Sequence, residues 1–146
     1  MNTNLSGYDI DFYAWTRQQT RLLKAQEFSK IDVEHLIEEI TSLGERDKRE
    51  ARSRLILILM HLLQWKYQPA RRGNSWRRTI NEQRTELELL FDDSPSLRNI
   101  VAEGYMRCYE LARKRAADET GIHLEQFPEN SLWTCEDVLR SDFWPE

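Results

Sequence analysis

The chain has 146 residues, a length that fits one domain and can bury most of its unfolded apolar surface without disulfide or metal staples. Charged residues make up 32% of it and hydrophobic residues 40%, with a mean hydropathy of −0.72; the apolar residues are clustered, which argues against a disordered chain. A net charge of −4 and an isoelectric point near 5.5 argue against bulk nucleic-acid binding, and Cys108 and Cys135 make neither a disulfide framework nor a zinc motif.

Met1-Asn2-Thr3-Asn4 lacks a basic stretch followed by an apolar one, so the reading is no signal peptide and a reduced, cytoplasmic protein. The longest apolar run, Leu55 to Leu63, is interrupted by His61. It is far below the ~20 residues that span a bilayer.

The first predicted helix opens near Asp9 or Asp11, either of which can cap it, and carries Phe12, Trp15, Leu22 and Leu23. Asp32 caps a second, with Val33, Leu36, Ile37, Ile40 and Leu43 as one apolar stripe and Gly44 as either its stop or a kink in a continuing helix. The third runs from about Glu45 to Tyr67. Its second half is apolar on nearly every side, which fits a central, wrapped helix ended by Pro69. After a loop from Ala70 to Asn74, Ser75 caps a fourth helix bearing Trp76, Ile80, Leu87, Leu90 and Phe91. Ser94 and Pro95 open a fifth, which continues past Tyr105, Cys108 and Leu111 to Gly121. The segment from Ile122 to Glu146 is mostly irregular, with a capping-box signature at Thr134 to Asp137 that predicts a short last helix. Phe127, Trp133, Phe143 and Trp144 are too apolar for a free tail and are expected to fold back onto the bundle. The fold expected is therefore all-α: one domain over 1–146, an antiparallel bundle of about five helices with helix three at its centre and the tail packed outside.

Several blocks in register resemble one family. They are Tyr-Asp-Ile-Asp-Phe-Tyr-Ala-Trp (8–15), Glu-Glu-Ile-Thr-Ser-Leu-Gly (38–44) and His-Leu-Leu-Gln-Trp-Lys-Tyr-Gln-Pro (61–69). Ser75-Trp76, Asp-Ser-Pro-Ser-Leu (93–97), Phe127-Pro128 and Asp-Phe-Trp-Pro (142–145) follow in order. Together they resemble the domain of unknown function 29 family, and the match spans nearly the whole chain. The resemblance implies an all-helical, bacterial protein with no assigned activity and no catalytic residues to carry over. It marks Asp11, Trp15, Asp32, Glu38, Glu39, His61, Trp65, Trp76 and Arg84 as family-pattern positions.

Two constellations carry potential chemistry. Lys66, Arg71, Arg72, Arg77 and Arg78 fall in one acid-free stretch interleaved with Trp65, Tyr67 and Trp76, ahead of a helix N-terminus. Trp65, Arg71, Arg72, Trp76, Arg77 and Arg78 are the binding candidates, for an acidic protein or a phosphate-bearing partner. The bland alternative is a solvated connector whose arginines pair with Glu82 and Glu86. The second constellation is Asp32, His35, Glu39 and His61, a set that can hold a divalent metal if helix two folds back along helix three. The bland alternative there is a core histidine bonded to a carboxylate or a backbone carbonyl. No cofactor is expected unless that metal site forms. Cys108, on an apolar face, reads as inert; the thiol of Cys135, in a first helical turn, is open to a lowered pKa. No Gly-rich phosphate loop, Ser-His-Asp order or zinc spacing is present. The leading expectation is a non-enzymatic interaction or regulatory domain that uses the basic–aromatic loop; a metal-binding bundle and an oligomerising module are the alternatives.

Overall fold

The computed structural model describes residues 7–146; Met1 to Asn4, read above for a signal sequence, lie outside the described residues. The described residues form seven α-helices and no strand. The helices are α1 (Gly7–Ile10), α2 (Phe12–Lys24), α3 (Val33–Tyr67), α4 (Asn74–Asp93), α5 (Ser96–Glu103), α6 (Tyr105–Thr120) and α7 (Cys135–Leu139). They gather into two compact units, one ending at Glu45 and one from Arg46 to Glu146, and α3 contributes to both. No described helix is long and apolar enough to cross a membrane.

The first unit is a hairpin of α2 and the start of α3. Asp11 caps α2 by accepting from the amide of Ala14 at 3.0 Å. Asp32 caps α3, its Oδ1 accepting from the amide of His35 at 3.3 Å. The turn after α2 puts Gln26 at φ 57, in the left-handed region, while the amides of Gln26 and Glu27 reach back to the carbonyls of Leu23 and Leu22. That pairing is a Schellman closure with glutamine where glycine is usual. Trp15 and Gln19 are buried. The apolar stripe of Val33, Ile37, Ile40 and Leu43 forms as read, yet all four side chains stand exposed.

The second unit is built around the last six or so turns of α3. Leu55, Ile58, Leu59, Leu62 and Leu63 are almost fully buried, and Ile56 and Met60 nearly so, because helices and tail cover this segment on every side. Ile80, Leu87 and Phe91 of α4, Leu97 and Val101 of α5, and Cys108, Tyr109, Ala112 and Ala116 of α6 complete the core. The tail returns to this core as expected. Phe127 and Val138 are buried, and Trp133, Phe143 and Trp144 pack against it half-buried. Its carbonyls are tied down by long side chains: Tyr105 donates to Trp133, Tyr109 to Pro128, and Arg113 to Leu124 and Phe127. The capping box at Thr134 and Asp137 is formed on both sides.

Three boundaries differ from the sequence reading. Gly44 does not stop a helix; α3 runs through it from Val33 to Tyr67. A mid-helix glycine costs only about 1 kcal/mol relative to alanine, and helix-forming residues on both sides carry the turn onward. The predicted fifth helix divides at Gly104 into α5 and α6. There the guanidinium of Arg52 packs close, its Nε 3.0 Å from where a Cβ would be, so a side chain at this position would have to push it aside by a few tenths of an ångström. Finally, α4 opens at Asn74 behind Gly73 with no side-chain cap, one residue ahead of the predicted Ser75.

Candidate functional site

The basic–aromatic loop folds into a ladder of alternating cations and indoles. Trp65, buried in the last turns of α3, receives Arg72 twice: the Arg72 Nε donates to its carbonyl at 2.6 Å, and the guanidinium lies 5.3 Å from its ring centre. Arg77, from the first turn of α4, stands 5.3 Å from the Trp65 ring and 4.9 Å from that of Trp144. The two indoles are themselves 4.8 Å apart. Arg84, two turns further along α4, closes the ladder at 5.3 Å from Trp144. The order in space is Arg72, Trp65, Arg77, Trp144, Arg84. Such stacking holds a guanidinium in place while leaving its charge unneutralised.

Of the residues predicted to bind, the structure brings together Trp65, Arg72 and Arg77. Arg71 and Arg78 lie exposed on the same short segment outside the ladder, and Trp76 is half-buried beside it. The carboxylate pairing expected with Glu82 and Glu86 does not occur. Among the described residues no salt bridge involves Arg71, Arg72, Arg77 or Arg78, and Glu86 instead lies 3.8 Å from Arg54. Arg54 sits on the neighbouring helix face and also holds Glu50 at 2.9 Å and Gln83 at 3.1 Å.

Arg84 and Trp144 are the members that sequence reasoning did not assign to the site. Arg84 is only 6% exposed. Its Nε donates to the carbonyl of Val138 and its Nη2 to that of Phe143, both at 2.9 Å, while the buried Nη1 has no hydrogen-bond partner. Burial lowers its pKa to about 10, partly offset by the carboxylate of Asp142, so it stays a cation at neutral pH. An open groove of about 500 Å³ runs alongside, lined by Arg84 and Arg98 together with Asn81, Thr85, Glu88 and Ser141. A signal for Arg84 existed in the sequence: it occupies the core-facing stripe of α4 between Ile80 and Leu87, where an arginine must be held by specific acceptors.

The candidate metal set separates. Asp32 and His35 do meet, with His35 Nδ1 2.7 Å from Asp32 Oδ2, but that oxygen also accepts from Trp15 Nε1 at 3.0 Å. Glu39 accepts from the Tyr8 hydroxyl at 2.5 Å, and the Tyr8 ring stacks on His35 with centroids 4.1 Å apart. His61 is half-buried, and its Nδ1 donates to the carbonyl of Leu57 one turn back at 2.8 Å. Asp32, His35 and Glu39 belong to the first unit and His61 to the second. Among the described residues no three His, Cys, Asp or Glu side chains gather as metal ligands.

The thiols are unreactive by environment. Burial raises Cys108, and burial with the neighbouring Cys108 and Glu136 pushes Cys135 up to about 11. The helix start does not lower Cys135, because the loss of hydration outweighs the few amides of a five-residue helix.

A family model described as Domain of unknown function DUF29 matches residues 7–144. No curated protein and no solved structure matches the chain. With nearly its whole length covered by one family model, the chain belongs to the DUF29 family.

Proposed function

We propose that the chain is a cytoplasmic, non-enzymatic interaction domain that docks an acidic or phosphate-bearing segment of a partner on the Arg72–Trp65–Arg77–Trp144–Arg84 face. One observation carries this reading. The ladder's guanidiniums are ordered by indole rings and backbone carbonyls and by no carboxylate bridge, so the charge and remaining N–H donors of Arg72 and Arg77, the accessible pair, face an incoming anion, while the buried Arg84 adds its charge from behind. Planar guanidiniums held in place recognise carboxylate and phosphate oxygens two at a time. Preordering also lowers the entropic cost of binding. The thiols, held up by burial, offer no nucleophile beside the face.

The test is titration with pyrophosphate and with a short polyglutamate peptide, followed by indole fluorescence of Trp65 and Trp144. Binding should weaken as salt rises. Arg77→Ala should reduce affinity about tenfold, the scale of one lost charge-assisted contact. Salt-independent binding, or affinity unchanged in an Arg72→Ala/Arg77→Ala double variant, would refute the reading.

A further inference from the structure

Of the twelve large apolar side chains that stand exposed among the described residues, nine belong to the hairpin unit. They include Phe12 and Leu23 on α2, and Val33, Ile37 and Ile40 on α3, with Ile37 and Ile40 59% and 67% exposed. Scattered exposed leucines need no explanation, but a contiguous apolar side bordered by charge marks a contact surface.

The side is contiguous because of how the hairpin is paired. Tyr8 meets Glu39 while Trp15 and Gln19 meet Asp32, so α2 and α3 run antiparallel. At 100° per residue, Phe12 and Leu23 occupy the flank of α2 next to the buried Trp15 and Gln19. Val33, Ile37 and Ile40 occupy the corresponding flank of α3 next to the inward Asp32, His35 and Glu39. In an antiparallel pair these two flanks face the same way. The outer edge of α2 is basic (Arg17, Arg21 and Lys24, with no acid on the helix), and α3 carries Glu34 on its outer edge with no Lys or Arg before Arg46.

We infer that this side binds a second copy of itself, two α2–α3 hairpins closing into an antiparallel four-helix bundle about a two-fold axis parallel to the helices. Charge selects that arrangement. The axis lays the basic edge of α2 over the acidic edge of α3 in the other copy, whereas a two-fold axis across the helices stacks like edges and is repelled. The register allows it: midway between Trp15 and Gln19, Arg17 stands level with Asp32, and Glu34 follows two residues on, about 3 Å along the axis, within reach of the Arg17 side chain of the other copy. Among the described residues neither side chain has a salt-bridge partner, and both are exposed. The apolar rows then bury each other, which supplies the core the hairpin lacks beyond Trp15.

Sedimentation velocity on the full chain from micromolar to millimolar concentration tests this. A concentration-dependent dimer is expected, and Ile37→Asp should raise its dissociation constant roughly thirtyfold or more, the scale of a disrupted interface centre. Arg17→Glu and Glu34→Arg should each weaken the dimer, and the double exchange should restore it. All these residues are exposed, so helical circular dichroism should not change. A chain that stays monomeric throughout, leaving the face to a different partner, overturns the inference. So does a dimer indifferent to Ile37→Asp, or an exchange that fails to restore association.

Discussion

Trp65 at the end of α3 and Trp144 at the end of the chain lie with ring centres 4.8 Å apart and share the guanidinium of Arg77. This contact fixes the tail as well as the proposed docking face. Trp144→Ala removes one of its two indoles together with the ring beneath Arg84. A loss of about 2 kcal/mol or more in urea unfolding is expected, at the lower end for a large aromatic because Trp144 is only half-buried. The same variant should lose affinity for pyrophosphate.

Arg84→Lys keeps the charge and removes the fork. The two carbonyls of Val138 and Phe143 lose their geometry-matched donors. Hydrogen bonds from a charged donor contribute about 1.5–3 kcal/mol each, and the ammonium recovers part of one. A net loss of about 2 kcal/mol is expected, with faster proteolysis after Val138. Unchanged stability and unchanged proteolysis would show that Arg84 does not clamp the tail.

The Asp32–His35 pair makes the hairpin pH-sensitive. The bond to Asp32 raises His35 above its ordinary 6.5, so its stabilisation is complete below 6.5 and is lost as pH rises through the raised value. The bond to His35 lowers Asp32 below 3.8, so its stabilisation is present above 3.8 and is lost as pH falls through the lowered value. The hairpin should be most stable between those limits and weaken on the alkaline side. Proton NMR titration of His35, with Trp15 fluorescence as reporter, checks this, and His35→Gln should flatten the alkaline limb.

Gln26 sits at φ 57, a conformation that costs a residue with a Cβ roughly 1 kcal/mol. Gln26→Gly removes that strain at an exposed site. Thermal melting should shift upward, by an increment of about 0.5 kcal/mol at most once the added chain entropy of glycine is subtracted. A downward shift would mean that the Gln26 side chain contributes contacts of its own.

Local signals in the sequence were reliable where the interaction is local. Asp11, Asp32 and the Thr134–Asp137 box cap helices through bonds spanning three residues, so their neighbours along the chain suffice. The apolar wrap of Leu55 to Leu63 and the apolar tail aromatics likewise announced a central helix and a folded-back tail, since burial follows composition and period. Gly44, a stop or a kink by its sequence, lies inside a continuous helix, whereas Gly104 divides what the sequence presents as one helix. What separates them is non-local: nothing approaches Gly44, whereas Arg52 packs onto Gly104.

The site was legible in part. Trp65, Arg72 and Arg77 are close in sequence and meet in space, but Trp144 and the carbonyls that hold Arg84 come from the tail, 54 and 59 residues beyond Arg84 for the two acceptors. The sequence by itself determined the all-helical class, the caps, the buried α3 segment and the presence of a basic–aromatic stretch, because propensity, capping and period act within a few turns. Tertiary structure alone decided that α3 runs on through Gly44, that indoles rather than carboxylates order the arginines, and that the Val33–Ile40 stripe stays exposed. Each of those depends on which distant group arrives first at a given face, and no local pattern encodes that.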